Sequence, residues 1–443
     1  MRFEDLSGKA VVIWGAGREG RAAHAELTRR GLAALIAVTD GGAVPAELRA
    51  VTATGADAVD RLESADVVLK SPGVPRTAPE LRGLRERGIP ITSLTDLWLS
   101  ADPQRVIAVT GTKGKSTTSA AIHHLLDGLD VPTSLVGNGG TPVTVGDRSD
   151  ARIAVAEVSS YQAADLTASP RVAVVTSLYP EHLPWHGSYE QYVADKLNLV
   201  AHGPDVVVVP DLAGELAEQV RKRVGLATRL LTPEQIGLAP TSDDGLGWHG
   251  VGDLGRAEIG LRGRHNLTNL ALALAAVAAF LESDRGQRAA MLAAVPSFAA
   301  LAHRLETVPS SDGRIWVDDS LATAPEAVVA ALEAYPDVPV TLIVGGADRG
   351  LSFAPLAGYL AERDPAIAAI AVGPAGARLV QESGTVLRAL RLAPDFATAL
   401  AWARQIAAPG GIILLSPGAP SFDEFASFEE RSAAFRAAAT ARE

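Results

Sequence analysis

Short, apolar, β-branched runs alternate along this chain with helix-like stretches, and that alternation limits the fold more than any other feature. AVVIW, ALIAVTD, DVVLKSPG, RVIAVTG, ARIAVAEVSS, RVAVVTSLYPEH, DVVVVPD, RIWVDDS, PVTLIVGG, IAAIAVG and GIILLSPG each end in glycine or polar turns, and segments such as GREGRAAHAELTRRG lie between them. Strands of this kind are buried on both faces, so the pattern predicts parallel sheets with crossover helices, an α/β fold. A chain of 443 residues exceeds one compact core. Three domains are expected: a Rossmann-like unit over residues 1–97, a central P-loop-type ATPase over 98–302, and a second Rossmann-like unit over 303–443.

The runs of opposite composition exclude several classes. Net charge is -11 with no long basic run, so neither a nucleic-acid footprint nor an anionic-membrane patch is expected. The longest apolar run, Leu270 to Leu281, is too short to span a bilayer and reads as a buried helix. There is no cysteine, which removes disulfides, thiolate metal sites and a Cys nucleophile, and suits a reducing cytoplasm. The expected partners are small molecules and the expected state is a monomer. Arginine carries nearly all the positive charge, with lysine only at Lys9, Lys70, Lys113, Lys115, Lys196 and Lys222. A guanidinium cannot replace a compact ammonium at a phosphate or at an amine that must react, so the surviving lysines invite a chemical explanation.

Two of them fall in Gly111-Thr112-Lys113-Gly114-Lys115-Ser116-Thr117, after the strand-like VIAVT and before the helix-like SAAIHHLL. Glycines there let backbone N–H groups face phosphate oxygens, Lys115 reaches terminal phosphates, and Ser116 or Thr117 can ligate Mg²⁺. The first glycine of a regular Walker A would fall at Val109, so this is a shorter variant. Gly15, Gly17 and Gly20 form a G-x-G-x-x-G with Asp40 at the end of the next strand, a pattern shared by dinucleotide sites, other nucleotide sites and plain tight turns. No second mononucleotide-binding half follows it, which favours a nucleotide other than NAD over a dehydrogenase.

Glu157 and His182 sit at strand ends, where side chains face a ligand crevice; either suits a metal site, and either could be structural. Lys196, in EQYVADKLNLV, reads by default as a solvated helix residue. Asn266 and Asn269 open the alanine-rich helix, as caps or as purine contacts. Asp318-Asp319-Ser320, Gly345 to Gly350 and Ser416-Pro417-Gly418 follow strands of the last unit, as substrate loops do in open α/β sheets.

In this order the motifs resemble the muramyl ligases over essentially the whole chain, and within them the ligases that add glutamate to UDP-N-acetylmuramoyl-L-alanine. The resemblance implies that Gly15, Gly17, Asp40, Ser71, Pro72, Gly73 and Asn138 hold the UDP-linked substrate. It implies that Gly111 to Thr117, Asn266, Asn269, Arg304 and Asp319 hold ATP, and that Ser116, Glu157, His182 and Lys196 serve Mg²⁺, with Lys196 carrying a carbamate. Lys115, Lys196, His182 and Glu157 are then the catalytic set. Thr323, Arg349, Ser421 and Phe428 are the implied glutamate contacts. The chain departs from the D-glutamate-adding pattern: Leu321 stands where that loop has a lysine, and Arg349 replaces the lysine of the glycine loop. With the GTKGKST loop, these departures look like the variant that adds L-glutamate, the D-glutamate enzyme and a catalytically inactive nucleotide-binding regulator being the alternatives.

Overall fold

The computed structural model describes the chain apart from residues 139–141, 144–151, 243–244, 300, 337, 364–365, 385–388 and 442–443. It divides into two compact units, Met1–Ile259 with Leu267–Phe298, and Gly260–Asn266 with Ala299–Glu443.

The first unit contains two parallel sheets. The amino-terminal one has five strands in the order Thr52–Thr54, Ala34–Val38, Val11–Trp14, Val67–Lys70, Ile91–Thr92. The next has six, in the order Arg229–Leu231, Val206–Val208, Val172–Val175, Val106–Thr110, Ile153–Glu157, Thr133–Gly137. Central strands such as Val11–Trp14 and Val106–Thr110 are buried at every residue, as helices on both faces require. Because Val106–Thr110 lies between Val172–Val175 and Ile153–Glu157, the loops after these three strands open side by side. A small antiparallel sheet, Leu238–Pro240, Leu246–Trp248 and Gly252–Leu254, was not foreseen from the sequence pattern. The long apolar run forms the helix Arg264–Leu281, most of whose residues are buried.

One apolar core runs through both sheets: Ile13, Leu27 and Ile36 of the first belong to the same cluster as Leu97, Trp98, Val106, Ala156 and Leu199. Polar ties reinforce it. Lys70 Nζ lies 2.8 Å from Asp165 Oδ2 and Arg76 Nε 2.8 Å from Asp195 Oδ1. Asp96 accepts from Thr92 Oγ1 at 2.9 Å and from the Thr167 amide at 2.6 Å.

The second unit is a six-stranded sheet in the order Glu306–Val308, Ile315–Asp318, Ile412–Leu415, Val340–Gly345, Ile367–Val372, Leu390–Ala393, parallel except for its first strand. Its three central neighbours, Ile315–Asp318, Ile412–Leu415 and Val340–Gly345, carry at their carboxyl ends the three loops singled out above. The helix Phe428–Thr440 begins at Ser427, whose hydroxyl caps it by accepting from the Glu430 amide.

Candidate active site

Strand Val106–Thr110 delivers the glycine loop to the start of the helix Lys115–Asp127, whose first amides are the orphan donors that bind anions. Two glycines are required by geometry. Gly111 has φ +145°, and a Cβ there would stand 1.9 Å from Thr176 Oγ1; Gly114 has φ +87°, and its Cβ would stand 2.4 Å from Asn269 Oδ1. The loop is pinned from the neighbouring strand end: the Thr112 amide donates to Ser177 O at 2.9 Å, and the Lys113 amide donates to Ser177 Oγ at 2.9 Å. Thr112 Oγ1 lies 2.6 Å from the Tyr192 hydroxyl. A cradle held this way is preorganised rather than assembled by its ligand.

Three lysine amines meet at this loop. Lys115 Nζ donates to Gly111 O at 3.0 Å and Thr112 O at 3.1 Å, and Lys113 Nζ pairs with Glu181 Oε1 at 2.8 Å. Lys196, in the last turn of the helix Tyr189–Leu197, is only 2% exposed and donates to Gly111 O at 2.9 Å. The solvated reading of this residue is therefore wrong, because its helix turns Tyr192, Val193, Lys196 and Leu197 inwards together. Burial, and then the Lys115 charge, hold the Lys196 amine well below its ordinary pKa. Burial also lowers His182, with further repulsion from Lys196, Lys113 and Lys115 opposing the attraction of Glu181. His182 has φ +56° and packs against Tyr161, ring centroids 5.0 Å apart. For Glu181 burial acts upward, but the Lys113 ammonium overcomes it and keeps the carboxyl below the usual range.

Glu157 ends its strand 3% exposed, and its Oε1 accepts from Asn138 Nδ2 at 3.1 Å. The Asn138 carbonyl in turn accepts from Arg18 Nη2 at 3.4 Å, so this asparagine touches both the carboxylate and the helix that follows Gly17. The rest of its motif, Gly139 to Thr141, lies outside the described residues. Ser116 and Thr117 occupy the first turn of the loop helix, Thr117 buried. Gly15, Gly17 and Gly20 turn the strand Val11–Trp14 into the helix Arg18–Arg29, and Ser71, donating its amide to Trp14 O at 2.9 Å, starts the adjacent loop with Pro72 and Gly73. Asp40 follows the neighbouring strand and accepts from the Gly42 amide at 3.0 Å.

Asn269 groups with the first unit and Asn266 with the second, where Asn266 Nδ2 donates to Arg262 O at 2.7 Å. In the second unit, Asp319 accepts from Ser416 Oγ at 2.7 Å, and burial pushes its pKa up to about 7 against the pull of Ser416 and Arg304. Its neighbour Asp318 takes a hydrogen bond from Ser432 Oγ at 2.6 Å, from Ser320 N at 3.0 Å and from Arg436 Nη2 at 3.1 Å, and lies 2.8 Å from His303 Nδ1. Those bonds overcome burial and keep Asp318 below the usual carboxylate range. Among the described residues, His303, Glu306 and Asp318 alone have the spacing of a metal cluster, but Arg436 already bonds both carboxylates. Thr323 is half-buried, Arg349 is exposed, Ser421 is buried, and Phe428 meets the His303 ring edge-on at 5.5 Å.

The sequence reading passed over Glu181, Thr176, Ser177 and Tyr192, which pin the loop and its lysines. Glu181 stands beside the singled-out His182 in a strand-end loop, and that position was the available signal. Nothing local marked the other three.

A parallel sheet with a lysine-rich glycine cradle at one strand end and a buried carboxylate at the next defines a class of α/β enzyme built to hold nucleotide phosphates. The comparisons narrow that class. Residues 109–277 match the Mur ligase middle domain, and residues 303–418 match the Mur ligase glutamate ligase domain. The chain is 45% identical to a UDP-N-acetylmuramoyl-L-alanine–L-glutamate ligase of Micromonospora sp., over 98% of this chain and 97% of that protein. It is 36% identical to the protein of the same name from Xanthomonas euvesicatoria, over 98% and 96%. Among solved structures, the ADP complex of MurF ligase from Thermotoga maritima superposes with a TM-score of 0.60 at 17% identity, covering 98% of this chain and 96% of that one. This chain belongs to the Mur ligase family. The α/β expectation and the family resemblance are both borne out.

Proposed function

We propose that this chain is an ATP-dependent ligase that joins L-glutamate to UDP-N-acetylmuramoyl-L-alanine in peptidoglycan precursor synthesis. The observation that carries the reading is Lys196, buried beside the phosphate loop in a chain that matches named L-glutamate ligases along its whole length. In this reading Gly111 to Thr117 hold the ATP phosphates, with Asn266, Asn269, Arg304 and Asp319 as the remaining nucleotide contacts. Lys115 offsets the charge of the transferring phosphoryl group. The alanyl carboxylate takes that group, releasing ADP; the glutamate amine attacks the acyl phosphate, and phosphate leaves from the tetrahedral intermediate.

The donor set suits Mg²⁺: the buried Glu157 carboxylate, a hydroxyl at Ser116 and a neutral imidazole at His182. When bound, the ion would neutralise charge on the phosphoryl oxygens. Lys196 fits a carbamate role because only a neutral amine adds CO₂, and its surroundings favour the neutral form. Gly15, Gly17, Asp40, Ser71 to Gly73 and Asn138 would take the UDP-linked substrate, and Thr323, Arg349, Ser421 and Phe428 the glutamate. We assign these tasks to domains at 1–97, 98–302 and 303–443 of a cytoplasmic monomer. Phosphate release with UDP-N-acetylmuramoyl-L-alanine, ATP and each glutamate enantiomer tests the reading. Turnover with D-glutamate alone would leave a ligase of the other specificity, and ATPase activity indifferent to both would leave a nucleotide-binding regulator.

A further inference from the structure

The second unit buries a cation that the reading above does not use. Arg431, near the start of the helix Phe428–Thr440, is 3% exposed. Its Nη2 donates to Ser320 O at 3.1 Å and to Ala419 O at 3.2 Å, so it touches the loops after the strands Ile315–Asp318 and Ile412–Leu415. Its Nη1 lies 3.0 Å from where a Cβ on Gly346 would stand, which brings in the loop after Val340–Gly345. The guanidinium thus lies where three adjacent strand-end loops meet.

Among the described residues Nε and Nη1 have no hydrogen-bond partner. Asp423 and Asp318 act on it only through their charge. Ser421 Oγ, one residue beyond the Pro420 carbonyl that packs against Gly346, is also buried and unpartnered. A buried charge without a counterion is costly, and so is each buried donor left unmet. A tie that merely fastened the loops would need only Nη2. The remaining N–H groups and the Ser421 hydroxyl form a donor set for an anion with oxygen acceptors.

Resting on the ligase reading, we infer that Arg431, assisted by Ser421, anchors the side-chain carboxylate of the incoming acidic amino acid. The choice between its two carboxylates follows from connectivity. The reacting amine shares a carbon with the α-carboxylate and must stay free at the open end of the loops, whereas the other carboxylate ends the side chain and is the one that reaches the buried cation. Arg431 is then the specificity residue that distinguishes glutamate from glutamine.

The test compares kcat/KM for L-glutamate and L-glutamine in wild-type enzyme, Arg431→Lys, Arg431→Gln and Ser421→Ala, with ATP and UDP-N-acetylmuramoyl-L-alanine held saturating. Truncating one partner of a buried charge pair costs about 2–5 kcal/mol, so Arg431→Gln should lower glutamate turnover by about 10²-fold or more and leave the slow glutamine rate within about threefold. Arg431→Lys should recover part of the preference, and Ser421→Ala should lower the glutamate-to-glutamine ratio by about tenfold. KM for ATP should not move. Equal losses for both amino acids would overturn the assignment and leave Arg431 as a loop tie; Arg431→Lys, which keeps the cation, decides the matter if Arg431→Gln does not fold. Absence of wild-type turnover with either glutamate enantiomer would remove the ligase reading itself and is seen before any variant is compared.

Discussion

Replacing Gly114 by alanine should strain the phosphate loop in two separable ways. The residue has φ +87°, where an L side chain costs about 1–2 kcal/mol, and its new Cβ would stand 2.4 Å from Asn269 Oδ1 and 3.2 Å from Asn269 Cγ. That obstacle is the end of a side chain, so the amide can swing aside by giving up hydrogen bonding worth about 1 kcal/mol. Gly114→Ala alone should therefore destabilise the protein by about 2–3 kcal/mol. In an Asn269→Ala background the clash is gone and only the backbone cost remains, so the double variant should be more stable than the sum of the single losses by about 1 kcal/mol. Denaturant unfolding of wild type, both single variants and the double variant measures that coupling directly. Independent sites add within about 0.3–0.5 kcal/mol, so additivity to that level would show that Gly114 and Asn269 do not meet as described. A nearly neutral Gly114→Ala would sink the loop conformation as well.

Lys115→Ala should reduce ATP turnover by about 10²–10³-fold with little loss of stability, which phosphate-release assays and thermal unfolding would check together. Lys196→Arg should keep a positive charge yet lose most activity, because a guanidinium forms no carbamate; wild-type rates, or rescue by bicarbonate, would refute the role. Asp319 gives a pH signature. Its folded pKa of about 7 lies above the ordinary carboxylate value of 3.8, so the stability it contributes is full below about 3.8 and is lost as pH rises through about 7. Asp319→Asn should accordingly gain stability over wild type as pH is raised from 5 to 8, by about 2–3 kcal/mol, and an equal offset at both pH values would exclude this origin. Arg349→Lys should weaken the preference for L- over D-glutamate, since a point charge replaces a planar fork at an exposed loop position; an unchanged ratio of kcat/KM would separate Arg349 from stereochemical choice.

What could be read in advance was whatever leaves a local trace. The strand, glycine loop and helix at 106–127 are contiguous, and the apolar runs of the parallel strands are dense because both faces are covered. The sheet of Leu238–Pro240, Leu246–Trp248 and Gly252–Leu254 left no such trace, since three-residue strands are too short to show a period. Long-range partnerships were equally silent. A lysine in a helix reads as solvated until Tyr192 and the loop carbonyl of Gly111 are seen around it, and Arg431 in a run of charged residues, FEERSAAFR, gives no hint that it alone is swallowed by three loops. Likewise Arg76 shows no sign of its pairing with Asp195, more than a hundred positions away.

That last pairing bears on how such enzymes can be recombined. The loop that follows Val67–Lys70 is fastened at both ends, by Lys70 to Asp165 and by Arg76 to Asp195, the residue next to Lys196. Asp195 is also 2.7 Å from His186, whose other nitrogen is 3.0 Å from Ser160 Oγ. A chimera cut near residue 97 would put foreign side chains opposite Asp165 and Asp195 and part each carboxylate from its cation. Breaking a buried pair costs up to about 3–5 kcal/mol, a large fraction of a domain's whole stability. Sequence near the amino terminus is thereby bound to sequence around Lys196, and the two segments must be inherited, exchanged or redesigned as a pair.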